Sequence, residues 1–174
     1  MSRRVVVLLF ALITIRVALS AAGDWREASA KELATVIPAR APVQRERIET
    51  EMRTAAGVTN SRGAYIAGVV LITAGYSAEG KYSHFFLTQV PIKVGDVSLD
   101  AGEYVFGYHR EADALQVSFY DANSGKPLGV VQANKVDKSG AIRSFQITPP
   151  SGDKPGAKGA VMIGRFVMPY TLGK

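Results

Sequence analysis

The stretch Ile92-Lys93-Val94-Gly95-Asp96-Val97-Ser98-Leu99-Asp100-Ala101-Gly102-Glu103-Tyr104-Val105-Phe106-Gly107-Tyr108-His109 decides the fold class. Gly95-Asp96 puts glycine first in a two-residue loop, a turn chemistry that joins antiparallel strands. Asp100-Ala101-Gly102 turns the chain again. The apolar runs on either side are too short for helices and rich in Val, Ile and aromatics, the residues that suit a pleated surface. Strand side chains alternate between faces, so Tyr104, Phe106 and Tyr108 share one of them.

The same grammar extends in both directions. Tyr65 to Ala74 is apolar on both alternating faces, as expected of a strand buried on both sides. Tyr82 to Val90 follows, with Tyr82, His84 and Phe86 predicted on a common face. Further strands are expected over Leu115 to Tyr120, Leu128 to Val136 and Ile142 to Thr148, separated by Asn123-Ser124-Gly125 and Lys138-Ser139-Gly140. A loop rich in Pro, Gly and Lys, Pro149 to Gly159, precedes a last strand from Val161 to Met168. Seven to nine short strands with regular turns, and no crossover helix, give a mostly β fold over residues 58–174: an antiparallel β-sandwich or small β-barrel. An outer-membrane barrel fits poorly, because Tyr65 to Ala74 lacks the required lipid-and-lumen alternation.

Upstream, residues 23–57 read as a short helical arm. Ser29 and Glu32 form a capping box for a helix that stops by Val36, because Pro38 disfavours the helical region at Ile37. A second helix is expected from Val43 to Ala56. Ile48, Met52 and Ala55 or Ala56 mark a thin apolar stripe, Glu49 and Arg53 sit four apart, and Gly57 supplies a stop. Such an arm would pack weakly, act as a spacer or dock on a partner.

Residues 1–22 read as a signal peptide: Arg3 and Arg4, an apolar run from Val5 to Ile15, and Ser20-Ala21-Ala22 before a cleavage point at Gly23. Arg16 cuts the run short of the roughly 20 residues a spanning helix needs. The chain is therefore expected to be exported, to the periplasm or beyond the cell, with no membrane span after cleavage. Losing Arg3, Arg4 and Arg16 takes the net charge from +6 to +3. What remains is uneven, since from Val130 onward only Asp137 and Asp153 oppose the Lys and Arg residues. Those bases are scattered, with no block or aromatic ladder. They read as solvated strand faces, and nucleic acid is not an expected partner.

Composition narrows the chemistry. The 174 residues suit one domain, and 47% apolar with 21% charged residues excludes disorder and a polytopic membrane protein. The absence of cysteine removes disulfides, thiolate metal sites and cysteine nucleophiles. Gly75 to Lys81 matches seven positions of a phosphate-binding loop, but Tyr82 stands where Ser or Thr should bind magnesium and no helix pattern follows. Gly75, Ser77 and Gly80 make a nucleophile elbow one residue too long. His84 and His109, with Glu103, Glu111 or Asp113, lack any spacing that fixes a metal site. No catalytic residue, metal or cofactor is assigned. The best candidate ligand-binding residues are Tyr82, His84, Phe86, Tyr104, Phe106 and Tyr108, a stripe able either to line a pocket for an apolar or sugar ligand or to form the core.

Gly95, Leu99, Ala101, Gly102 and Tyr104 also match a Gly-x-x-x-Leu-x-Ala-Gly-x-Tyr hairpin. It resembles one found in uncharacterised secreted bacterial β-domains of unknown function. The resemblance implies a sandwich-like exported domain and brings no catalytic residues with it. The resulting expectation is a non-enzymatic binding or structural module of the cell envelope or secreted fraction, whose partner is a protein or a small ligand. The alternatives are a small hydrolase or metal-dependent enzyme using Ser77, His84 and His109, and an envelope protein whose arm docks on a partner.

Overall fold

A computed structural model describes residues 25–77, 79–137 and 140–174. The expected signal peptide lies outside them. In chain order the described elements are β1 (Trp25–Glu27), α1 (Ala30–Val36), β2 (Arg40–Val43), β3 (Glu46–Asn60), β4 (Tyr65–Leu71) and β5 (His84–Thr88). There follow β6 (Ile92–Val94), β7 (Val97–Leu99), β8 (Gly102–Glu111), β9 (Ala114–Asp121), β10 (Pro127–Lys135), β11 (Phe145–Thr148), β12 (Lys158–Ile163) and β13 (Phe166–Leu172).

Every ladder is antiparallel, and the sheet runs β1-β3-β4-β5-β8-β9-β10-β13-β12-β11. The β6–β7 hairpin, built on Gly95-Asp96, continues alongside β13 beyond the end of its pairing with β10. The sheet nearly closes into a barrel: β11 lies beside β3 without forming a ladder to it. The mostly β expectation therefore holds, as a barrel-like sheet with one short helix near the N-terminal end.

Two cores explain the hydropathy of β4. Ile66 faces the barrel interior with Phe86, Phe106, Phe119, Phe145, Met168 and Tyr170. Ala67, Val69 and Leu71 face outward, under a cover supplied by Leu33 and Ile37 near α1 and by Ala41 and Val43 of β2. A strand apolar on both faces thus has an apolar partner on each. Burying Leu33 and Ile37 contributes about 1.5–3 kcal/mol apiece, which ties a seven-residue helix to the sheet.

The helix from Ala30 to Val36 forms as read, with Ser29 accepting from the Glu32 amide while Glu32 reaches back to the Ser29 N–H at 2.8 Å. The expected helix from Val43 to Ala56 does not form. That segment belongs to β2, its turn and the long strand β3, so residues 25–57 are not a helical arm separable from the β-domain. Ile48 and Thr50 are buried between exposed Arg47 and Glu49, the period of a strand. Arg53 pairs with Glu51 at 2.9 Å, two residues away, and not with Glu49. A bulge between Glu51 and Ala56 hides the strand period, and Thr54 Oγ1 there accepts the Val70 N–H at 3.0 Å. Gly57 is no helix stop either. It sits within β3, where a Cβ would come within 2.7 Å of Leu33 Cδ2 and 2.8 Å of Ala67 Cβ.

The final strand is also two strands. Ile163 pairs with Phe166 across a Gly164-Arg165 turn, with Gly164 at φ 58°. Together with β1, β2 and β3 from the supposed arm, this split raises the strand count among the described residues to 13.

Candidate functional site

The aromatic stripe is mostly core. His84 stacks on Phe106 with ring centroids 4.7 Å apart and 10° between planes, and Phe145 lies 4.9 Å from His84. Phe119 approaches Phe106 at 5.1 Å and Phe86 at 6.3 Å. Phe86, Phe106 and His84 are fully or nearly fully buried, and Tyr104 is buried with its hydroxyl donating to the Asp100 carbonyl at 2.8 Å. Of the two roles open to the stripe, these rings take that of core.

Tyr82 leaves the group. The Ser83 N–H donates to the Phe106 carbonyl while His84 is already paired with Phe106, so two residues oppose one. That bulge shifts the alternation, and Tyr82 turns to the outer core, edge-on to Tyr120 at 5.2 Å. Its hydroxyl partners the Gln44 side-chain amide.

Tyr108 leads to the remaining candidate. Along β8 the interior face carries Tyr104, Phe106, Tyr108 and Arg110, and it runs from buried at Phe106 to 44% exposed at Tyr108 and exposed at Arg110. The strand is emerging from the barrel. On β10 the interior-facing positions Val131 and Ala133 are followed by Lys135 at the same exit. The β12–β13 turn adds Arg165. These groups surround an open cleft of about 420 Å³ lined by Tyr108, Leu115, Ile163 and Phe166 on its apolar side and by Arg110, Lys135 and Arg165 on its charged side. We refer to it as the barrel mouth. Arg110 lies over the Phe166 ring, 5.2 Å from its centroid, and Lys135 Nζ is 3.2 Å from Asp113 Oδ1. Among the described residues neither Arg110 nor Arg165 has a carboxylate within 4 Å.

A second groove, of about 390 Å³, follows the unpaired line between β3 and β11. Arg53 and Arg143 border it, and it shares Ser144 with the mouth.

His84 lies one layer beneath the mouth, its ring 6.1 Å from Tyr108. Nδ1 is 2.8 Å from Ser83 Oγ, whereas Nε2 is buried without a partner. Ser83 can also donate to the Phe106 carbonyl at 3.3 Å, an arrangement in which Nδ1 carries the proton; in either tautomer Nε2 has no partner. Removal from water disfavours the imidazolium and pushes the pKa of His84 down to about 3. The ring stays neutral at ordinary pH.

The other chemical candidates are dispersed. Ser77 Oγ donates to Glu46 at 2.7 Å, and His109 is exposed beside Glu111 at 3.1 Å. No hydrogen bond joins Ser77, His84 or His109 to one another. Among the described residues no three His, Asp or Glu side chains gather as a metal site. The Gly75–Lys81 loop leads into β5 and not into a helix, so it lacks the helix N-terminus a phosphate loop uses.

Sequence reasoning missed Arg110, Leu115, Lys135, Ile163, Arg165 and Phe166. Arg110 could have been found by continuing the Tyr104-Phe106-Tyr108 parity two residues further. Arg165 carried a weaker signal, Gly164 standing first in a two-residue turn, and the strand reading ran through it. Comparisons with family models, with curated proteins and with solved structures find no match for this chain.

Proposed function

We propose that this chain is an exported, non-catalytic binding module that seats its ligand at the barrel mouth. One observation carries the reading: the interior face is buried, ring against ring, through Phe106 and then opens into a cleft of about 420 Å³ with an apolar side. Small-molecule sites occupy about 300–1,000 Å³ and combine apolar walls with a few placed polar groups. The mouth has both. The N-terminal reading supports export, and the resemblance of the Gly95–Tyr104 hairpin to secreted bacterial β-domains agrees with it.

The seat is tested by substituting Ser144, which is exposed and lines the cleft. Ser144→Trp fills the mouth from its rim. Backbone-amide NMR titration with a panel of amphiphiles and sugars is expected to shift residues 108–115 and 163–166 in the parent and to lose those shifts in the variant. Shifts confined elsewhere would refute the seat. Export is tested separately, by expression in a bacterium and mass spectrometry of the mature N-terminus. Cleavage before Gly23 is the expected result, and an intact Met1 in the cytoplasm would refute it.

A further inference from the structure

We infer that the ligand of the mouth is an amphiphile whose apolar body ends in an oxyanion, a carboxylate or phosphate held by Arg110 and Arg165. The inference rests on the mouth being the ligand seat and adds the class of molecule that occupies it.

The first argument is charge. Three cations border the cleft, and two carboxylates at the β8–β9 turn contact other groups. Asp113 is held by Lys135, while Glu111 accepts from the Gln116 amide at 3.2 Å and lies 3.1 Å from His109 Nε2. Neither Arg110 nor Arg165 has a carboxylate within 4 Å among the described residues. Cations beside apolar surface attract an anion more strongly than cations in open water, because the local dielectric is lower.

The second argument is geometry. Arg110 lies over Phe166, its Cζ 5.2 Å from the ring centroid, which sets the guanidinium against the apolar wall of the cleft. A guanidinium fork can match two oxygens of one head group, as in paired Arg–carboxylate and Arg–phosphate contacts. Beside that fork lie Leu115, Ile163 and Phe166, which have no polar side-chain atoms. A bare inorganic anion would leave this wall unused. A neutral sugar would leave the guanidiniums unanswered. An acyl or aryl chain with an anionic end engages both.

The test is calorimetric titration of the full chain, and of Arg110→Gln and Arg165→Gln variants, with three probes. The probes are decanoate below its micelle concentration, octyl glucoside as a neutral amphiphile, and inorganic phosphate as a head group without a tail. Decanoate is expected to bind, and each variant to weaken it at least tenfold while melting at the parent's temperature. Octyl glucoside and phosphate should each bind at least tenfold more weakly than decanoate. If octyl glucoside matches decanoate and the variants change nothing, the anionic class is overturned and the seat survives. If phosphate alone matches decanoate, the amphiphile is overturned. Binding to phosphatidylglycerol vesicles without binding of monomeric decanoate would also overturn it, in favour of a membrane surface. If neither amphiphile shifts the amides of residues 108–115 and 163–166, the seat itself fails along with the inference.

Discussion

Replacing His84 by Phe should remove most of one identifiable acid-sensitive contribution to stability. The imidazole lies between Phe106 and Phe145, with Nε2 unpartnered, and its pKa is lowered to about 3 by burial alone. In the unfolded chain the ring titrates near 6.5. Between these values the unfolded state binds a proton that the folded state refuses. Stability due to this group is therefore complete above about pH 6.5 and is lost as pH falls through the window toward 3. The slope is about 1.4 kcal/mol per pH unit for one proton, so the loss amounts to about 1.4 kcal/mol at pH 5.5 and about 2.7 kcal/mol at pH 4.5.

The assay is urea unfolding of parent and His84→Phe at pH 7.5, 5.5 and 4.5. The variant loses the Ser83 contact and gains ring volume, and both effects are independent of pH in this range. They set a constant offset. The diagnostic is the change in the parent-minus-variant difference, which should move by about 2.7 kcal/mol against the parent from pH 7.5 to 4.5. Other acid-sensitive groups cancel. Glu32 is held near 2 by its hydrogen bond to Arg26 and then by those from Ser29, so its contribution is also lost in acid, but equally in both proteins. A difference that stays flat across the three pH values would refute the claim that His84 is neutral and desolvated. Where Phe proves too large, His84→Leu carries the same expectation.

Three further outcomes follow from packing. Phe119→Ala, at a site 1% exposed between Phe86 and Phe106, should cost about 3–5 kcal/mol in urea unfolding, and a loss below about 1 kcal/mol would mean the interior is not filled as described. Gly107→Ala should lower the melting temperature despite the better strand propensity of alanine, because its Cβ would strike the Lys81 carbonyl oxygen, a backbone atom that cannot swing aside. A neutral or stabilising effect would show that the 79–83 crossing is looser. Ser29→Ala should cost about 1 kcal/mol through loss of the cap on α1, with amide exchange rising at Glu32 before it rises in β4; uniform exchange would refute a local role.

The strands that could be read from sequence are those whose alternation is uninterrupted. β6 and β7 around Gly95-Asp96, and β8 with its Tyr104-Phe106-Tyr108 face, have one register from end to end, so local pattern and tertiary placement agree. Each miss coincides with an irregularity that a periodic reading cannot see. β3 carries a bulge between Glu51 and Ala56, and the extra residues convert a period of two into spacings that imitate a helix at Ile48, Met52 and Ala55. The strand forms because β4, apolar on both faces, needs a ladder partner on that edge, a demand greater than the few tenths of a kcal/mol separating intrinsic helix propensities. At Ser83 one extra residue sends Tyr82 to the other core. At Gly164-Arg165 glycine again stands first in a two-residue loop, as at Gly95-Asp96, but it sits inside one apolar run and two strands read as one.

The site was harder to read than the fold because it belongs to no one segment. The basic character after Val130 pointed to solvated strand faces, since no run of Lys or Arg is contiguous. In space, Lys135 and Arg165 from that third meet Arg110 from the more acidic middle, because Asn134 and Lys135 of β10 pair with Val167 and Phe166 of β13, and Asn134 also pairs with Ala114 of β9. Barrel closure brings together the ends of strands distant in sequence, and an interior face that is apolar along its length becomes charged only where it leaves the core. Arg110 after Tyr108 and Lys135 after Ala133 are two instances of that one rule. The same rule gives the mouth its dual character. Its apolar wall is the last layer of the core, and its cations are the first residues beyond it, so the anion and the hydrocarbon of a bound molecule are sorted by the direction in which the strands emerge.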